Sequence, residues 1–201
     1  MIEVEIKVLI NNPDEIRKQF ELKQGLYKCS LIHEDTYYNM PRGLRDFRKS
    51  DEALRIRKSV EFNKHEEIPN KKTKYYLTYK GAKFNKETKT RKELESLIQD
   101  GEKIKEILNL LGFRKIFTVK KERELFFLTF KNHQIEALID FIPILKQYFI
   151  EVEYQAETKE RISEVQEILF NFLESLGIKR ERSIIKSYLE LIAEKIGLRE
   201  K

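Results

Sequence analysis

Apolar and charged side chains alternate strictly at the start of the chain. Ile2, Val4, Ile6 and Val8 fall on one face of a predicted strand, and Glu3, Glu5 and Lys7 fall on the other. The same device recurs in Leu54-Arg-Ile-Arg57, in Tyr76-Leu-Thr-Tyr-Lys80 and in Ile150-Glu-Val-Glu153. Further strands are predicted over Tyr27 to Asn39, Ala53 to Lys58, Tyr75 to Gly81, Thr88 to Glu95 and Gln147 to Tyr154. A long segment from Phe113 to Phe130 turns at Lys131-Asn-His133 into Gln134 to Phe141.

Helical spacing takes over between these strands. Asn12 is placed to cap a helix with Pro13 at its first position and Ile16 and Phe20 on one face, closing near Gly25. Ile104, Ile107, Leu108 and Leu111 form a second stripe stopped by Gly112, and Ile162, Val165, Leu169, Phe172 and Leu176 a third stopped by Gly177. A last amphipathic helix carries Ile185, Leu189, Ile192 and Ile196. Met40 to Asp51 reads as a loop, and Glu61 to Lys74 as a long exposed hairpin connection.

About eight neighbouring strands with a few inserted helices predict an antiparallel α+β architecture. Two arrangements satisfy the pattern. With apolar faces inside a closed barrel, the charged rows are simply solvated. With apolar faces outside and covered by the amphipathic helices, the charged rows line a tunnel. Periodicity alone fits both.

The chain has 201 residues, a size expected for one domain over 1–201. Its hydrophobic fraction of 40% supports a substantial core, while 37% charged residues and a net charge of +6 suit an acidic partner such as a nucleotide or polyphosphate. The lone Cys29 forms no internal disulfide, no apolar run approaches the roughly 20 residues that span a bilayer, and no signal-peptide pattern opens the chain. A cytoplasmic protein without membrane partners is expected. No interleaved aromatic and basic motif of the single-strand-binding kind stands out, so nucleic acid is not expected as a partner.

The motif Glu3-Val-Glu-Ile-Lys7 resembles the Glu-x-Glu-x-Lys signature that opens the CYTH superfamily, the triphosphate tunnel metalloenzymes. It is followed in family order by Asp35-Thr-Tyr-Tyr38, Leu54-Arg-Ile-Arg57, Thr78-Tyr-Lys-Gly81, Arg91-Lys-Glu93, Lys121-Glu-Arg123, Ile139-Asp140, Phe149-Ile-Glu-Val-Glu153 and Lys186-Ser-Tyr188. The run from Arg45 to Arg57 and the closing Ser187-Tyr-Leu-Glu-Leu191 look most similar to the class IV adenylyl cyclase (CyaB) branch. The resemblance implies an eight-stranded antiparallel β-barrel with helices packed outside, and a nucleoside triphosphate or other triphosphate bound with Mg²⁺ or Mn²⁺ in its tunnel. A homodimer is compatible with that branch.

Under that resemblance Lys7, Arg55, Arg57, Lys80, Arg91, Lys121, Arg123 and Lys186 form the triphosphate-binding set. Guanidinium groups grip phosphate oxygens bidentately, and lysines act as point charges. Glu3, Glu5, Asp140, Glu151 and Glu153 form the metal set, since hard divalent ions take oxygen ligands. Lys7, Glu5 and Lys80 are the expected catalytic residues, with Lys7 able to act as a base if neighbouring cations depress its pKa. Glu93 reads as orienting an arginine. Each residue also has a bland alternative as a solvated ladder or a surface ion pair. Lys83, Lys86, Lys89, Glu122 and Glu124 are assigned to the surface, His33 to an ordinary role, and Tyr37 and Tyr38 to the tunnel or its wall.

Two reactions fit the architecture. In a cyclase, the ribose 3′-hydroxyl of ATP attacks the α-phosphate and releases pyrophosphate. In a triphosphatase, water attacks the terminal phosphorus of tripolyphosphate or thiamine triphosphate. A non-catalytic polyphosphate- or nucleotide-binding module is the third reading, disfavoured because a pure anion binder gains nothing from five acids facing its ligand.

Overall fold

A computed structural model describes residues 2–83, 91–156 and 158–197. In chain order the elements are β1 (Ile2–Ile10), α1 (Pro13–Leu22), β2 (Leu26–Asn39), β3 (Ala53–Phe62), β4 (Lys72–Lys83), β5 (Arg91–Ile98), α2 (Gly101–Leu110), β6 (Arg114–Phe130), β7 (His133–Ile142), β8 (Gln147–Ala156), α3 (Ile162–Glu174) and α4 (Tyr188–Ile196). The expected start of the fifth strand at Thr88, and the surface assignments of Lys86 and Lys89, lie outside the described residues.

The strands form one antiparallel sheet ordered β1-β8-β7-β6-β2-β3-β4-β5. This sheet curls until its two edge strands face one another. Glu3 and Glu5 of β1 border the same cavity as Glu93 and Glu95 of β5, although no ladder joins these strands. The expected barrel is therefore a curled sheet with an open seam.

Burial settles which way the alternation points. Val4, Ile6, Val8 and Ile10 of β1 are buried against Ile16 and Phe20 of α1 and against Val165, Leu169, Phe172 and Leu173 of α3. The apolar row is thus outside the curl and under the helices, which leaves the charged row inside. A second cluster packs Tyr188 and Ile192 of α4 onto Val119, Ile142, Leu145 and Phe149 at one end of the tunnel. The third packs Leu108 of α2 on Tyr38 and Ile56, with Leu54 and Leu77 beside it.

The caps explain the helix limits. Asn12 Oδ1 accepts the Glu15 N–H at 3.2 Å, as its position in sequence predicts. The last helix departs from expectation: Ser187 caps it and Glu190 answers in a reciprocal capping box, so Ile185 lies in the extended segment before the helix. The hairpin strands β3 and β4 also reach further than expected, to Phe62 and back to Lys72, because the ladder continues through Glu61 and Lys72. Among the described residues, no helix is long and apolar enough to cross a membrane.

Candidate active site

Seven strands, β1, β2, β3, β4, β5, β6 and β8, aim charged side chains into one cavity of about 700 Å³, which α4 also lines. Its lining holds eight Lys or Arg side chains and eleven Asp or Glu side chains. The lining divides into zones.

The acidic zone lies on the β1–β8 wall. Glu3, Glu5 and Glu153 each offer a carboxylate oxygen within 4.8 Å of the others. The register explains the convergence, since Glu5 is paired directly with Glu153 across the β1–β8 ladder, and Glu3 is two residues along the same face. Like charges this close oppose ionisation. Burial, then the Glu93 carboxylate across the seam, pushes the Glu3 carboxyl up to about 7. Burial and the Glu3 carboxylate hold the Glu153 carboxyl well above the usual range.

Three clustered carboxylates form an oxygen donor set that fits a hard divalent cation. Since acids outnumber bases in the lining, a triphosphate of about four negative charges would find no net attraction there without added cations. Glu3, Glu5 and Glu153 would hold such an ion. Because it must displace the Glu3 proton below about pH 7, apparent Mn²⁺ affinity is expected to fall about tenfold per pH unit from 7 to 5.5. Calorimetric titration across that range checks this, and a flat profile would remove Glu3 from the ligand set.

The basic zone lies on β3, β4 and β6. Asp35, fully buried on β2, receives Arg57 through Nε at 2.7 Å and Nη2 at 2.8 Å, and Arg55 Nη1 at 3.4 Å. Burial alone would raise the Asp35 carboxyl, but the Arg57 and Arg55 guanidinium groups hold it well below the usual range. Arg55 also donates to Thr78 Oγ1 at 3.1 Å and Glu95 at 3.2 Å, while its buried Nε has no partner. Glu93, expected to orient an arginine, pairs more closely with Lys80, at 2.6 Å, than with Arg55, at 3.5 Å. Lys121 is buried, and desolvation, then the Arg123 guanidinium, lowers its ammonium to about 8 against the pull of Asp140.

Arg123 joins the zones. Its Nε and Nη2 donate to Asp140 at 2.6 and 2.7 Å, and Nη2 also donates to Glu151. Glu153 stands 3.9 Å from Nη1.

Two expected site residues are not on the cavity wall. Asp140 is completely buried, gripped by Arg123 and by the Tyr188 hydroxyl, which donates at 2.8 Å, so it stands apart from the Glu3, Glu5 and Glu153 cluster. Lys7 is 1% exposed, and its ammonium donates to the Lys186 carbonyl at 2.6 Å beneath the Tyr188 ring. Arg91 and Lys186 are on the wall, Lys186 with its ammonium 2.6 Å from Glu194.

Sequence reasoning gave no role to Asp35, Glu95, Thr78 or Tyr188. Asp35 and Tyr188 stood in quoted motifs, and the tunnel-facing parity of Thr78 with Lys80 was the available signal. Two surface assignments also change. Lys83 is largely buried between Asp51 at 2.7 Å and Glu190 at 3.8 Å, and Glu124 pairs with Arg17 at 2.8 Å and Lys64 at 2.7 Å. His33 is buried with Nδ1 unpartnered; burial, then Arg57, Lys121 and Arg123 nearby, hold it well below its ordinary pKa.

The same lining also carries apolar side chains. Tyr37, Tyr38, Phe47, Ala53, Ile116, Leu189 and Ala193 are among them. The loop between β2 and β3 is held in place by Asn39, which accepts from the Met40 and Phe47 N–H groups at 2.9 and 3.0 Å and donates to Asp46 at 2.9 Å.

Comparisons with known proteins agree with this geometry. The family model described as the CYTH domain matches residues 1–188. A candidate adenylate cyclase of Methanocaldococcus jannaschii is 38% identical over 192 residues, covering 95% of this chain and 98% of its own. The solved structure of PH1819 from Pyrococcus horikoshii OT3 superposes with a TM-score of 0.81 at 36% identity, covering 96% of this chain and 99% of that one. A candidate adenylyl cyclase from Hippeastrum, described with a dominant triphosphatase activity, shares the fold with a TM-score of 0.60 at 16% identity, covering 98% of this chain and 97% of that one. Tunnel, charged lining and matched residues together make this chain a member of the CYTH family, whose members bind triphosphates with a divalent metal.

Proposed function

We propose that the protein is a metal-dependent enzyme that converts ATP to cyclic AMP and pyrophosphate, in the manner of class IV adenylyl cyclases. The observation that carries this reading is the mixed lining of the cavity. Its charged groups suit a triphosphate, and its apolar lining, which includes Tyr37, Phe47 and Leu189, gives a nucleoside surface to pack on. A volume of about 700 Å³ exceeds what a bare tripolyphosphate needs.

In this reading Arg55, Arg57, Lys80, Arg91 and Lys186 hold the phosphates, with the unpartnered Arg55 Nε as a donor reserved for ligand. Arg123 is committed to Asp140 and Glu151, and so sets the acidic wall in place. Lys121 takes the base role expected of Lys7. With its pKa near 8 it can receive the proton of an attacking hydroxyl at neutral to mildly alkaline pH, and it is on the cavity wall, which Lys7 is not. A divalent ion held by Glu3, Glu5 and Glu153 supplies charge neutralisation and Lewis acidity.

Hydrolysis is the second reading. The charged groups of the lining can cradle a triphosphate that carries no nucleoside, and the Hippeastrum protein of the same fold is described with a dominant triphosphatase activity. Incubating ATP, tripolyphosphate and thiamine triphosphate separately with Mg²⁺ or Mn²⁺, and reading the products by phosphorus NMR, separates the alternatives. Cyclic AMP with pyrophosphate from ATP is the expected result. Orthophosphate without cyclic AMP would establish the hydrolase, and no turnover the binding module.

A further inference from the structure

Most side chains on the cavity wall are carried by strands, whose ladders fix them, but Phe47, Arg48, Asp51 and Glu52 are carried by the connection between β2 and β3. Such a connection keeps one shape only if its backbone polar groups find partners. Asn39, at the end of β2 and 2% exposed, supplies them. Its Oδ1 accepts the Met40 N–H at 2.9 Å and the Phe47 N–H at 3.0 Å, and its Nδ2 donates to Asp46 Oδ1 at 2.9 Å. Asp46 passes the restraint along the chain. Its carboxylate accepts the Arg48 N–H at 3.0 Å, and its carbonyl accepts the Ser50 N–H at 3.1 Å. The Glu52 N–H then donates to the Phe47 carbonyl at 2.8 Å, so both backbone polar groups of Phe47 are held.

We infer that Asn39 is a positioning residue for nucleoside selectivity: it shapes the 40–52 connection so that Phe47 meets the nucleoside of a bound nucleoside triphosphate, while the phosphates are held independently of it. This rests on the proposed nucleotide function. The independence follows from where the cations are anchored. Arg55, Arg57 and Lys80 belong to β3 and β4 and are braced by Asp35 and Glu93, and none of those contacts passes through Asn39. A base gains affinity by stacking on aromatic surface that is correctly placed, whereas tripolyphosphate has no apolar part to use it. Loosening the connection therefore weakens the ligand that has a nucleoside and spares the one that lacks it. Arg48 shares the connection with Phe47, so a phosphate contact by Arg48 would abolish that split.

The test compares dissociation constants for a nonhydrolysable ATP analogue and for tripolyphosphate, both with Mn²⁺. Asn39→Ala is expected to weaken binding of the analogue by about tenfold and of tripolyphosphate by less than about twofold. Equal loss of both ligands, or no loss of the analogue from a folded variant, would overturn the inference. A swap separates positioning from general destabilisation. Asn39→Asp sets a carboxylate against Asp46 and is expected to show the same selective loss. Adding Asp46→Asn reverses donor and acceptor at unchanged charge and should recover the analogue, since the Arg48 N–H that Asp46 also accepts is exposed and can turn to water. If Asn39→Ala does not fold, the single and the swapped variant decide by the same ratio. An unaltered protein that does not bind the analogue would remove the nucleotide function and this inference together, whereas variants that keep the analogue's full affinity would remove the inference alone.

Discussion

Glu153→Gln is expected to lower metal-dependent turnover by about a thousandfold while making the metal-free protein more stable. A bound divalent ion contributes several kcal/mol of charge stabilisation, and each 1.36 kcal/mol is about a decade in rate. Among the described residues, Glu153, Glu3 and Glu5 are the carboxylates that converge closely enough to hold one. The stability gain comes from the same crowding. Burial and the Glu3 carboxylate raise the Glu153 carboxyl well above its ordinary value, so the folded state binds a proton more readily than the unfolded chain does. Folding is therefore penalised as pH rises above the unfolded value of about 4.3, and the penalty grows until the folded group itself ionises. Gln carries no such penalty. Melting curves of the two metal-free proteins should separate at pH 8 and converge below about pH 4, and in excess Mn²⁺ the order at pH 8 should reverse. A variant that keeps its turnover, or melts lower without metal, would show that Glu153 serves some other purpose.

Asp35→Asn is expected to cost about 3–5 kcal/mol of unfolding free energy, the usual effect of removing one partner from a buried ion pair. Asp35 is 2% exposed and holds Arg57 through two hydrogen bonds and Arg55 through a third. Its loss leaves those guanidinium groups crowded near Lys121 with one anion fewer. Because its folded pKa lies below the unfolded value, the carboxylate's contribution is fully present above about pH 4 and is lost as pH falls through the folded pKa. Urea titrations should thus show a difference that is constant from pH 5 to 8 and narrows in acid. A loss below about 1 kcal/mol would mean that Glu93, Glu95 and Thr78 suffice to hold the arginines.

What was legible in the sequence followed from parity. On a strand every second residue shares a face, so Glu3, Glu5, Arg55, Arg57, Glu151 and Glu153 group by sequence position alone. Ridges such as Ile162, Val165 and Leu169 marked the helices that cover the apolar side. Which side was the interior was not legible from periodicity, since a row of charges reads the same in water and in a tunnel. Family order of the motifs supplied the expectation, and burial of Val4, Ile6 and Val8 under α1 and α3 agrees with it.

The differences between pattern and placement have a common cause. Parity says which face a side chain leaves from, not how far it reaches or what stops it. Lys7 has the right parity and is nonetheless turned under Tyr188, and Asp140 is screened from the cavity by Arg123 and Tyr188. Lys83 and Glu124 looked like solvated charges because their partners, Asp51, Glu190, Arg17 and Lys64, come from distant parts of the chain. Ile185 fitted a helical stripe, but Ser187 and Glu190 form a stronger local start signal two residues later.

The open seam has a consequence for how the molecule behaves among its own copies. Edge strands are templates on which a second chain can add a strand and begin to aggregate, and inward-pointing charges are one way that proteins discourage it. Here β1 and β5 are both edges, and each turns carboxylates into the gap: Glu3 and Glu5 from one side, Glu93 and Glu95 from the other. An intruding strand would have to bury its backbone beside four acids. The residues that would gather a cation thus also serve as guards against misassembly.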